Sequence, residues 1–85
     1  MRFSAVVEVS GLEGIADPEG QTIERALPAL GFEQIWHVRV GKLFRFELEA
    51  ADEQAARERC DELCRRLLAN PVIEQYSAVV TAASR

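Results

Sequence analysis

No block of basic residues, no long apolar run and no cysteine framework occurs in these 85 residues, and each absence removes a class of function. Ten Lys and Arg are scattered among fourteen Asp and Glu, for a formal net charge of −4. A nucleic-acid binder needs a basic footprint to release counterions, so that class is disfavoured. No apolar stretch approaches the roughly 20 residues of a membrane span, and Met1–Arg2–Phe3 runs into an alternating segment rather than the apolar centre of a signal peptide. The two cysteines, Cys60 and Cys64, are too few for a disulfide scaffold. With the single histidine, His37, they cannot complete a tetrahedral zinc site within one chain. Four positions apart on a helix, both thiols share a face and read as reduced, packed small hydrophobes in a cytoplasmic protein. A single domain over residues 1–85 buries only about 60% of the surface its unfolded chain exposes. Disulfides and metals being set aside, oligomerisation is the compensation left.

What is present is a clear succession of patterns. Phe3, Ala5, Val7 and Val9 alternate with Arg2, Ser4 and Glu8, the signature of a half-buried strand. After the loop Ser10–Gly14, Asp17–Pro18–Glu19 starts a helix: an N-cap acceptor, a proline at the first helical position, and an acid at the positive end of the dipole. Ile23, Ala26, Leu27 and Leu30 form its apolar stripe. Pro28 bends the last turn, and Gly31 closes it as a left-handed cap. Phe32–Val40 predicts a second strand with Trp36, Val38 and Val40 on one face. Phe44, Phe46 and Leu48 mark a third. A three-residue loop Gly41–Lys42–Leu43 would pair Val40 with Phe44, Val38 with Phe46 and Trp36 with Leu48, whereas a two-residue turn would oppose apolar and charged residues. Asp52 caps a second helix whose stripe is Ala56, Cys60, Leu63, Cys64 and Leu67. Asn70–Pro71 ends it, Val72–Val80 is the last strand, and Thr81–Arg85 is a frayed tail.

The order β-α-β-β-α-β predicts an α+β, ferredoxin-like fold, a four-stranded antiparallel sheet with both helices on one face. The opposite face would carry Val6, Ile35, His37, Arg39, Leu43 and Arg45. Of these, Ile35, His37, Arg39, Leu43 and Arg45 are the candidate contacts of a symmetric homodimer or a dimer of dimers.

Catalytic patterns are missing from the sequence. Ser4, Ser10, Ser77 and Ser84 sit in no nucleophile elbow, and His37 has no nucleophile beside it. Glu47 and Glu49 share a strand face with Arg45, which reads as a solvated charge row. Gly11 and Gly14 do not make a phosphate-cradling loop. Arg39 and Lys42 about Gly41 could hold an anion, but surface charge is the default reading.

Three stretches together resemble the PurS family of phosphoribosylformylglycinamidine synthase subunits. They are Asp17–Gly20; Arg39–Lys42 followed by Phe46–Glu49; and Cys64–Tyr76, that is CRRLLANPVIEQY. Their order and spacing span essentially the whole chain. The resemblance implies a cytoplasmic subunit of an enzyme of de novo purine biosynthesis. In that family a large synthetase subunit (PurL type) uses ATP and magnesium, and a glutaminase subunit (PurQ type) supplies ammonia. The small subunit helps join them, self-associates as a homodimer or tetramer, and carries no catalytic residue or cofactor. An ACT-like amino-acid-binding regulatory module has the same order of elements, with Gly11 or Gly14 at its loop–helix junction, and is the alternative from another class.

Overall fold

The computed structural model describes residues 1–83; Ser84 and Arg85, assigned above to the tail, lie outside them. Strand β1 (Arg2–Gly11) is followed by helix α1 (Pro18–Ala26), a 3-10 turn (Pro28–Leu30) and strand β2 (Gly41–Glu49). Helix α2 (Glu53–Leu63) continues into a π-helical turn (Cys64–Leu68), and strand β3 (Glu74–Ala82) closes the described chain. The sheet is antiparallel with order β2-β1-β3. The fold is α+β as expected, but the sheet has three strands rather than four among the described residues.

The most apolar strand takes the centre. Phe3, Ala5, Val7 and Val9 are all but inaccessible, and they pack with Ala56, Cys60, Cys64, Ala69 and Val80 as the core. Phe3 lies opposite Leu48, Ala5 opposite Phe46 and Val7 opposite Phe44. The apolar residues of β2 therefore join the core face through β1, not through a hairpin with residues 32–40. The cap predictions hold. Asp17 accepts from Gly20 N at 2.9 Å and Asp52 from Ala55 N at 2.8 Å. Gly31 adopts φ 88°, the left-handed closure that L side chains resist.

The segment expected as a second strand is irregular, for two physical reasons. Gln34 and His37 have φ of 61° and 60°, which breaks the alternation a strand requires. The backbone N–H groups of Val38 and Val40 are bound by the carboxylates of Glu24 and Asp17, at 2.9 and 2.8 Å, so they are spent on α1. Leu67 is a second departure. Widening the last turn of the helix to π geometry rotates the residues that follow, leaving Leu67 74% exposed while Leu68 and Ala69 turn to the core.

The third departure concerns α1. Only α2 covers the sheet, mainly over β3 and β1, and α1 has no substantial packing against any strand. The radius of gyration is 16.5 Å, against about 12 Å for a compact domain of this length. The accessible surface is 6603 Å², against about 5,000 Å² for a folded monomer of this mass. A single chain thus leaves far more surface in water than its size requires.

Cys60 and Cys64 are fully buried and free, as their spacing predicts. Burial raises both thiols above their ordinary range, Cys64 to about 11. Thiol reagents are expected to label both at least about a hundredfold more slowly in the native than in the denatured protein. Rapid native labelling of either would contradict this packing.

Candidate functional site

Two features stand beside each other in this chain: a helix without a sheet, and a sheet flank without a helix. The helix is anchored through its carboxylates. Asp17 divides its oxygens, Oδ1 accepting from Gly20 N at the helix start and Oδ2 from Val40 N, with Arg39 Nε 3.6 Å away. Arg39 also donates to the Gly11 and Leu12 carbonyls at 3.1 and 3.4 Å. Two turns further along, Glu24 holds Val38 N. Gly20 permits this closeness, because a Cβ there would stand 2.6 Å from the Val38 carbonyl oxygen. Helix α1 and residues 38–40 therefore form one unit, its apolar stripe made of Ile23 on the helix, Leu27 at its C-cap and Leu30 on the 3-10 turn that follows. Ile23 and Leu30 are 42% and 69% exposed.

The two backbone hydrogen bonds, with Arg39 adding a smaller share, hold the Asp17 carboxyl below its ordinary 3.8. A depressed carboxyl pKa stabilises the fold above the unfolded value, and that share is lost as pH falls through the folded value. Asp17→Asn is therefore expected to lower the thermal midpoint at neutral pH and to narrow its difference from wild type on acidification below about pH 4. Glu49, held low by the Met1 ammonium, contributes to the acid limb of both proteins. A constant gap between the two melting curves at all pH values would refute the assignment.

The uncovered flank is built from β2 and the near side of α2. Phe44, Phe46 and Leu48 project on the same face as the core yet remain only half-buried, since α2 does not reach over them. Arg59 donates to the Glu49 carbonyl at the end of β2, whereas Asp61 receives the hydroxyl of Tyr76 on β3. Leu63 and Leu67, which share a shallow groove with Arg59 and Arg66, thus lie on the β2 side. The half-buried Phe44, Phe46 and Leu48 therefore floor an apolar trough that α2 leaves open.

The five interface residues expected from the sequence are separated. Leu43 and Arg45 do lie on the outer sheet face, opposite Glu8 and Val6 of β1. Ile35, His37 and Arg39 are on the irregular segment instead, with Arg39 committed to Asp17. The trough itself escaped the sequence reading, because alternation says which residues share a face but not whether a helix covers it. Glu24 carried no signal at all.

A concavity of about 410 Å³ between Gly11, Asp17, Arg39, Lys42 and Glu74 is the other candidate. Four of its five charged side chains are paired, Arg39 with Asp17 and Lys42 with Glu74 at 3.9 Å, which leaves Glu19 at the rim. An anionic ligand would have to displace them, since both cations of the lining are engaged. Among the described residues, no group of three or more His, Cys, Asp or Glu is placed to hold a metal ion, and no helix is long and apolar enough to cross a membrane.

Comparison with known proteins places the chain in a family. Residues 4–82 match the family model PurS, phosphoribosylformylglycinamidine (FGAM) synthase. The phosphoribosylformylglycinamidine synthase subunit PurS of Archaeoglobus fulgidus is 46% identical over 67 residues, covering 79% of this chain and 84% of that protein. The crystal structure of Methanocaldococcus jannaschii PurS, one of the subunits of formylglycinamide ribonucleotide amidotransferase in the purine biosynthetic pathway, superposes with a TM-score of 0.84 at 35% identity. It covers 96% of this chain and 99% of that one. A chain of the PurLQS structure from Thermotoga maritima superposes with a TM-score of 0.87 at 32% identity, covering 94% and 98%. These matches do not favour the ACT-like alternative. Over nearly its whole described length, in sequence and in fold alike, this chain belongs to the PurS family of FGAM synthase subunits.

Proposed function

We propose that this chain is the non-catalytic small subunit that joins a glutaminase subunit (PurQ type) to an ATP-dependent synthetase subunit (PurL type) in the cytoplasm, and that it does so as a homodimer. The observation that carries the joining role is its near-complete superposition on a chain of the PurLQS structure. ATP and magnesium act on the synthetase subunit in this reading, and no residue of this chain is assigned to them. Mixed with the two larger subunits, the chain is expected to co-elute as one species and to turn over neither glutamine nor the ribonucleotide by itself. Turnover by the isolated chain, or failure to associate with either subunit, would sink the proposal.

The homodimer follows from the trough and the detached helix. In our reading, α1 of a second copy lies in the trough, setting Ile23, Leu27 and Leu30 on Phe44, Phe46, Leu48, Leu63 and Leu67. The extended residues leading into its own β2 run along the free edge of this β2. Each half then has four strands and two helices on one face, the ferredoxin-like arrangement, with one helix and one strand supplied by the partner. The surplus of about 1,600 Å² over a compact monomer supports this, since a standard interface buries about 800 Å² per partner. Ile35, His37 and Arg39 travel on the exchanged segment and remain interface residues. Leu43 and Arg45 stay free on the outer face.

A further inference from the structure

The exchange just described does not by itself set how two copies register along β2, but the hydrogen bonds of the single chain do. Met1 and Ala50 exchange both backbone bonds, Ala50 N donating to the Met1 carbonyl and the Met1 ammonium to the Ala50 carbonyl, each at 2.9 Å. The same register sets Phe3 opposite Leu48 and Val9 opposite Lys42. Alternate residues of an antiparallel ladder face opposite ways, so Lys42, Phe44, Phe46 and Leu48 commit their backbone groups to β1. Gly41, Leu43, Arg45, Glu47 and Glu49 present theirs at the other edge, beyond which no strand lies among the described residues. The segment before β2 keeps this phase. Val38 and Val40 give their N–H groups to Glu24 and Asp17, which leaves Arg39 on the edge side.

Two copies sharing this edge about a twofold axis run antiparallel, and residues directly opposite must both face the contact or both face away. Even-numbered residues therefore oppose even ones, odd oppose odd, and the axis falls on a residue rather than between two. With the axis at Lys42, Val40 lies opposite Phe44 of the second copy and Val38 opposite Phe46, and twofold symmetry makes each pair twice. Every other position sets Lys42 against an apolar side chain on the core face. Moving the axis to Gly41 opposes it to Val40, and moving it to Leu43 opposes it to Phe44. Burial on that face makes such slips costly.

The charges fit the axis at Lys42. Its Nζ lies 3.9 Å from Glu74 Oε2, drawn across β1 toward β3 and away from the edge, so two lysines can adjoin the axis without meeting head on. On the outer face Arg39 stands opposite Arg45 of the second copy, but its guanidinium is turned to Asp17 and to the Gly11 and Leu12 carbonyls. Leu43 stands opposite Gly41, which has no side chain to obstruct it. A foreign strand would need the same apolar spacing in its own sequence, whereas a second copy carries it by identity.

We propose that a second copy pairs with the β2 edge in this single register, the twofold axis lying at Lys42, and that Lys42 is the residue that bars the neighbouring registers. This rests on the homodimer proposed above and fixes its geometry. Two opposed Lys42 residues form a non-hydrogen-bonded pair with Cα atoms about 4.5 Å apart, within the span of a disulfide. Two Leu43 residues would stand about 8 Å apart, beyond it. Lys42→Cys, at an exposed site, is expected to link into a covalent dimer under oxidised glutathione at least about tenfold faster than Leu43→Cys. Wild type, whose thiols are buried, is expected to stay unlinked. Faster linking of Leu43→Cys would put the axis at Leu43 and overturn the register. If both variants sediment as dimers and neither links, the register is overturned while the homodimer stands. A wild-type chain that sediments as a monomer at high micromolar concentration overturns the homodimer, and this register with it.

Discussion

Replacing Leu30 by aspartate is expected to turn the homodimer into a monomer, and Leu67→Asp should do the same from the opposite side of the contact. Both leucines are largely exposed in the single chain, 69% and 74%, so neither change disturbs the core that β1 and α2 build. In the proposed exchange Leu30 enters the trough, and Leu67 is among the residues the incoming stripe covers. Removing one buried leucine costs about 1.5–3 kcal/mol, and a twofold contact suffers the change twice. The dissociation constant should therefore rise at least about a hundredfold, before the cost of burying the new carboxylate is added. Mixing the two variants gives the sharper result. A heterodimer places both lesions in one contact and leaves the other wholly wild type, so the mixture should associate more tightly than either variant alone. Sedimentation over a dilution series reads all three samples. If Leu43→Asp on the outer face dissociates the dimer while Leu30→Asp does not, the contact lies on the outer face and the exchange is wrong.

Omitting this chain from the reconstituted complex is expected to abolish glutamine-dependent synthesis while leaving synthesis from added ammonium salt within about twofold of the complete system. The physical reason lies in what a joining subunit can affect. Glutamine hydrolysis and amide activation occur on separate polypeptides in the proposed complex, and ammonia must pass between them without being lost to solvent. Holding two sites together raises the effective concentration of one for the other by orders of magnitude, and that advantage vanishes with the joint. Free ammonium bypasses the transfer and needs only the synthetase site. The ratio of the two rates, measured with and without the chain, is the readout. Full glutamine-dependent activity in its absence would overturn the joining role, and an equal fall in both rates would place its action on the synthetase site itself.

Local chemistry was legible in the sequence wherever one short stretch decides the outcome alone. Asp17, Pro18 and Gly31 set the ends of the α1 region, Asp52 starts α2, and alternation from Phe3 to Val9 identifies the central strand. Those signals depend on one residue's backbone preference or one strand's two faces. The segment 32–40 misled because its alternation of Trp36, Val38 and Val40 is real, yet its N–H groups found carboxylates on α1. A hydrogen-bond partner fourteen or more residues away leaves no periodic trace. Leu67 misled in a similar way. Its spacing from Cys60 and Leu63 is helical, but the stripe assumed an unbroken 3.6-residue period, and the π turn rotates Leu67 away from the core.

By itself the sequence determined the α+β class, the caps, the buried thiols and the family resemblance. Each follows from residue type and spacing along one chain. The tertiary structure alone decided that the described sheet has three strands, that α1 stands off it, and that Phe44, Phe46 and Leu48 face an open trough. The reason is that periodicity records which side chains want cover, whereas the supply of cover depends on where distant elements pack.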